Sequence, residues 1–189
     1  MSESALIAKA TQGKLSESEL RRVAQGLASG TGDPYEALLV IGRANAKQHR
    51  ALVERYLQCQ EDPMLARLAL QILCRYWGLT AEYREAVEQF VCKVPWDEDD
   101  DVRLMAIDCA GPFLARNRSP RLMSLLLQIF RDVSERQIVR EAAYDSLALV
   151  AGKALEELPA ASRHFDLGRD VEPAVIAFIE AALQDAEGE

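Results

Sequence analysis

Apolar residues recur along this chain at helical spacing, and the helices they define recur in turn. Leu65-Ala66-x-x-Ala69-x-x-Ile72-Leu73 is followed 37 residues on by Val102-Arg103-x-x-Ala106-x-x-Cys109-Ala110, and 37 further on by Val139-Arg140-x-x-Ala143-x-x-Ser146-Leu147. Each copy sets small or aliphatic residues at i, i+4, i+7 and i+8, one face of a helix. A second stripe accompanies the first. Tyr83, Ala86, Val87, Phe90 and Val91 stand at i, i+3, i+4, i+7 and i+8, and Leu122, Leu125, Leu126, Ile129 and Phe130 repeat the pattern. His49, Leu52, Val53, Tyr56 and Leu57 give an earlier copy; Val171, Ala174, Val175, Phe178 and Ile179 give the last. A repeat of this period predicts stacked helix pairs that bury their apolar faces against neighbouring units.

Turn and cap residues place the boundaries. Asp33-Pro34 and Asp62-Pro63 each set an acceptor before a proline that fits the first helical position, and Ser119-Pro120 repeats the device. Ser16-x-x-Glu19 is a capping-box pattern, Thr80 and Ser134 are further candidate caps, and Gly78 and Gly152 suit left-handed helix exits. Four A/B pairs follow: 34–46 with 48–59, 63–77 with 81–93, 100–115 with 120–132, and 135–151 with 171–184. A helix at 17–28 and a shorter one near 3–11 cap the first pair. The expected fold class is all-α, one helical-repeat domain over 1–189, with N-terminal cap helices in 1–30, repeats in 34–184 and a tail at 185–189. Pro112 should kink the third A helix. Residues 152–170 form an inserted segment, in which Lys153 to Leu158 suits one helical turn and Pro159 to Asp170 reads as loop.

Asp62-Pro63-x-Leu65, Asp101-Val102-Arg103 and Val139-Arg140 make the paired helices resemble HEAT repeats over about 34–184. The resemblance implies a right-handed α-solenoid of about four pairs. It also implies that B helices line the concave, ligand-facing side. Outward B-helix positions there are Arg50, Glu54, Arg84, Glu85, Glu88, Ser124 and Gln128. A HEAT-like fold specifies architecture strongly and activity hardly at all.

Charge narrows the partners. Thirty acidic against 22 basic residues give a formal charge of −8. Nucleic-acid binding, which needs Lys and Arg to displace counterions, is disfavoured, and a basic protein surface is favoured. No apolar run approaches the ~20 residues that span a bilayer, and the first residues lack the basic and apolar regions of a signal peptide. Cysteines stand at 59, 74, 92 and 109 with no CxxC pair. Buried free thiols in a reducing cytoplasm are therefore expected.

The sharpest local feature is Trp96-Asp97-Glu98-Asp99-Asp100-Asp101, where a helix cap needs only one or two of five carboxylates. One reading is an anionic docking patch with Trp96 as its anchor. The other is a solvated, over-acidic helix start with Trp96 covering a seam. No Gly-turned calcium loop is present to favour a metal. Connections from B back to A are acidic (Glu61, Asp62, the 97–101 run, Asp132, Glu135). Connections from A to B are more basic (Lys47, Arg116, Arg118, Lys153, Arg163, Arg169). His49 reads as packing and His164 as a solvated loop residue. No GxSxG, GxxxxGK[ST] or HExxH occurs, so no catalytic residue, metal or cofactor is expected.

The favoured function is a non-enzymatic protein-binding module acting through the concave B-helix face and the acidic edge, as monomer or weak oligomer. In size, charge and fold the chain is similar to immunity or adaptor proteins that occupy a toxin's or partner's basic surface. The competing class is a HEAT-like enzyme or a chaperone-type lyase. A DNA glycosylase needs a basic groove, and a di-iron hydroxylase needs His-Glu pairs, of which there are none.

Overall fold

The computed structural model describes residues 3–158 and 165–187. It is all-helical, with no strand among the described residues. Ten α-helices follow in order: α1 (Glu3–Thr11), α2 (Glu17–Ser29), α3 (Pro34–Arg43), α4 (Arg50–Glu54), α5 (Pro63–Leu70), α6 (Arg84–Val91), α7 (Asp101–Leu114), α8 (Pro120–Arg131), α9 (Gln137–Val150) and α10 (Pro173–Glu187). A π-helix, Gln71–Tyr76, continues α5, and 3-10 turns occupy Lys47–His49 and Leu155–Glu157. Arg163, His164 and the first half of the expected 159–170 loop, residues 159–164, lie outside the described residues.

Backbone contacts divide the chain into two compact units. One contains residues 1–83 with 95–102, the other 84–94 with 103–189. The A helix of the second predicted pair thus belongs to the first unit and its B helix, α6, to the second.

In the first unit, α3 packs against α1, α2 and α5. Leu38 and Ile41 are wholly buried, as is Gly42, and a small satellite core of Leu6, Ala10 and Val40 joins α1 to α3. Gly42 is there because Ile72 is: an added Cβ would stand 2.6 Å from Ile72 Cγ1. In the second unit α8 packs against α6, α9 and α10. The A-helix template is buried throughout: Leu65, Ala66, Ala69, Ile72 and Leu73 in one copy, Val102, Ala106 and Ala110 in the next, Val139, Ala143 and Leu147 in the third. The first three B stripes are buried or half-buried throughout, the earliest with His49, Leu52 and Tyr56 only half-buried; the last departs from them. Val175 and Ile179 are buried, but Ala174 is exposed and Phe178 is 51 % exposed, so α10 keeps half of its apolar stripe at the surface.

Several expected caps change role. Asp33 and Asp62 cap as anticipated: Asp33 Oδ1 accepts from Tyr35 N–H at 2.8 Å, and Asp62 Oδ1 accepts from Met64 N–H at 3.0 Å. Ser16 and Glu19 close their capping box. Ser119 makes no side-chain cap bond, so Pro120 alone sets that helix start. Thr80 donates back to the Cys74 carbonyl instead of accepting, and Ser134 donates both its N–H and its hydroxyl to Asp132. Helix α7 continues through Pro112 to Leu114. Nearby, the Ser146 hydroxyl donates to the Ile107 carbonyl at 2.8 Å. The first expected B helix, 48–59, is α-helical for only one and a half turns, Arg50–Glu54. Beyond Glu54 the N–H groups of Tyr56, Leu57 and Cys59 bond three residues back, which tightens the chain out of α geometry.

Asp145 on α9 yields a pH prediction. One of its carboxylate oxygens is buried with no hydrogen-bond partner among the described residues. Burial first, then Asp108 and Glu141, push its pKa up from 3.8 to about 6. The folded state then holds the proton more tightly than the unfolded chain. This contribution is present below pH 4 and is lost as pH rises through 6. Asp145→Asn should flatten that dependence and raise stability at neutral pH by about 1 kcal/mol, a value discounted for partial exposure. Melting temperatures of the two proteins measured between pH 4 and 7 check it; parallel curves would contradict it.

Candidate functional site

The predicted B-helix residues of the second unit converge. Arg84, Glu85 and Glu88 line one hollow of about 440 Å³, together with Gln89, Cys92 and Arg121. A second hollow, of about 250 Å³, shares Cys92 and is walled by Gln128, Arg103, Glu135 and Asp132 over a floor of Val91, Leu125 and Ile129. The i, i+4 spacing of Arg84 and Glu88 on α6 turns both toward α8, which supplies Arg121.

Glu88 is the fixed point of the first hollow. Its side chain is only 13 % exposed; one oxygen stands 3.6 Å from Arg84 Nε and the other 3.3 Å from Arg121 Nε. The two guanidiniums remain half to mostly exposed, so each keeps donors for an incoming group. Gln128 is exposed, with its amide 3.5 Å from the half-buried Ser124 hydroxyl.

The second hollow has a stiffer wall. Arg103, with its side chain 6 % exposed, places Nη1 2.6 Å from Glu135, and its Nε–H donates to the Val91 carbonyl at 3.0 Å. Arg140 does the same one template copy later, donating from Nε to the Phe130 carbonyl at 3.0 Å. Each arginine thereby satisfies a carbonyl in the last turn of the preceding helix, the end at which the helix dipole favours a cation. The repeated Val-Arg of the sequence is this device. Together the hollows carry three guanidiniums and four carboxylates, a surface of mixed sign.

The remaining predicted residues lie in the first unit. Arg50 and Glu54 are tied into a local network. Arg50 Nε bonds Glu54 at 2.9 Å, its Nη1 bonds Glu82, its guanidinium stacks 4.8 Å over the Tyr83 ring, and the Tyr83 hydroxyl donates to Glu54. The Tyr83 bond holds the Glu54 pKa below its usual value, and burial followed by Glu54 raises that of Tyr83. These residues are thus engaged with one another.

The acidic run is not a uniform anionic patch. Asp97 is 1 % exposed and Asp100 is fully buried, while Glu98 and Asp99 are exposed and Trp96 and Asp101 half-buried. Asp100 adopts a positive φ of 63°, a conformation that Asp tolerates better than most residues, and its N–H donates to the Asp97 carbonyl at 3.4 Å. The turn into α7 thus folds two carboxylates inward and leaves Glu98 and Asp99 as the outward pair.

Sequence reasoning missed Cys92, Arg121 and the Arg103–Glu135 wall. None of the four cysteines forms a disulfide; Cys74 and Cys109 are buried as expected, whereas Cys59 is half-buried and Cys92 exposed, contrary to the expectation of buried thiols. Cys92 follows Val91, one position off the buried stripe, which is the signal that marks it as outward. No helix among the described residues is long and apolar enough to cross a membrane. Comparison with known protein families, with curated proteins and with solved structures found no match.

Proposed function

We propose that this chain is a non-enzymatic protein-binding module whose contact surface is the pair of hollows between α6 and α8. The observation that carries the reading is the convergence there of Arg84, Glu85, Glu88 and Gln128, outward B-helix positions that the HEAT resemblance implies are ligand-facing, beside a half-buried carboxylate flanked by two exposed guanidiniums. Such a surface offers hydrogen-bonding groups of both signs over an apolar floor, which suits a partner's side chains better than a reacting small molecule. The net charge of −8 draws a basic partner toward the chain as a whole, and Glu98 and Asp99 are exposed contributors to that charge. The wider frame we propose is a right-handed solenoid of HEAT-like pairs in the cytoplasm. Its narrower form is an immunity or adaptor protein, a reading supported by size, acidity and helical content.

Glu85→Arg combined with Gln128→Trp alters two exposed positions and should leave the helical signal intact. Affinity for the native partner, measured by surface plasmon resonance, should fall at least tenfold, mostly through faster dissociation. Glu98→Gln with Asp99→Asn should instead slow association and flatten its salt dependence. Unchanged kinetics in the first variant would remove the α6/α8 surface from the reading.

A further inference from the structure

A third hollow lies wholly within the first unit, among α1, α2 and α3, with a volume of about 340 Å³. Its construction follows from the sequence. Gly30, at φ 71°, ends α2, and the chain folds back so that Thr31 N–H donates to the Gly26 carbonyl at 2.9 Å. Gly26 permits this, since an added Cβ would lie 3.1 Å from the Thr31 carbonyl oxygen. The tight return leaves an opening floored by Leu6, Val23, Ala37 and Val40.

The mouth carries both signs of charge. Asp33 and Glu36 line it, and so does Arg22. Asp33 is held in place by its cap, Oδ1 accepting from Tyr35 and Glu36 N–H. Oδ2 has no bond among the described residues. Arg22, although it shares the hollow with two carboxylates, makes no hydrogen bond or ion pair to any described residue. Both signs of charge thus border one apolar floor, in a hollow within the size range of small-molecule sites, roughly 300–1,000 Å³.

We infer that this hollow binds a free aliphatic α-amino acid. The side chain lies on the Leu6, Val23, Ala37 and Val40 floor, the ammonium faces the carboxylates of Asp33 and Glu36, and the α-carboxylate takes the planar fork of Arg22. A guest carrying only an ammonium leaves Arg22 unanswered and repelled; one carrying only a carboxylate meets two like charges. The zwitterion alone satisfies both sides. This site is separate from the α6/α8 surface, so either assignment stands or falls without the other.

Titration of the whole chain with leucine, leucinamide and N-acetyl-leucine, followed by two-dimensional amide NMR, tests it. Leucine should bind in the range of about 10⁻⁴ to 10⁻³ M, since Arg22 and Asp33 are exposed and screened. Shifts should centre on Val23, Ala37 and Val40, and both blocked analogues should bind at least tenfold more weakly. Arg22→Gln, at an exposed position, should abolish the preference for leucine over leucinamide, and Val23→Trp should fill the floor and remove binding of all three. No leucine shifts at 10-fold above that range, equal binding of the three compounds, or shifts centred elsewhere would overturn the assignment.

Discussion

Arg103→Met should destabilise the protein by about 3 kcal/mol, within the usual cost of removing one partner of a buried ion pair. Arg103 is nearly inaccessible, its charge is matched by Glu135 at 2.6 Å, and its Nε–H satisfies the Val91 carbonyl. Methionine fills much of the volume but leaves Glu135, itself 17 % exposed, without its cation, and leaves a carbonyl at the end of α6 without its donor. The double replacement Arg103→Met with Glu135→Leu should recover a substantial part of the loss, because it removes the stranded charge. Urea denaturation checks both. A midpoint unchanged in the single variant would mean that the pair is solvated and that the second hollow lacks a rigid wall.

Gly111→Val is the second large effect. An added Cβ would stand 2.9 Å from both Cα and Oγ of Ser146 and 3.1 Å from Leu149 Cδ1, where α7 meets α9. A backbone atom cannot swing aside, so the helices must separate. Overpacking of this kind costs roughly 1–3 kcal/mol and occasionally more. The upper end is expected here, beyond the ~1 kcal/mol or less gained by removing glycine from a helix interior. Gly42→Ala should be milder despite its shorter 2.6 Å contact, because the obstructing atoms belong to the Ile72 side chain, which can change rotamer. Equal losses at the two sites would contradict this distinction between backbone and side-chain obstruction.

The helices were legible because apolar spacing is a one-dimensional record of which face is buried. The three A templates are buried where periodicity puts them, and the α6 and α8 stripes are buried but for the half-buried Ala86, Leu125 and Phe130. What periodicity could not carry is anything settled by a distant neighbour. The π-helix after α5 begins beside Ile72, whose position depends on an absent side chain at Gly42, thirty residues earlier. The inward turn of Asp97 and Asp100 depends on a positive φ that no pattern of carboxylates reveals. The candidate surface was half visible. Helical phase marks Arg84, Glu85, Glu88 and Gln128 as outward and the HEAT resemblance implies that they face a ligand, whereas Arg121 enters only because α8 lies against α6. Arg50 and Glu54 had the same phase, but Tyr83 and Glu82 engage them.

The apolar rival to the polar hollows is the exposed stripe of α10, centred on Phe178. A photo-reactive benzoylphenylalanine placed at Gln128 in one protein and at Phe178 in another, irradiated in native lysate and resolved by mass spectrometry, separates the two. The account predicts a single covalent adduct of defined mass from position 128, suppressed by Glu85→Arg, and none of that mass from position 178. The same adduct arising from 178 and not from 128 would contradict it.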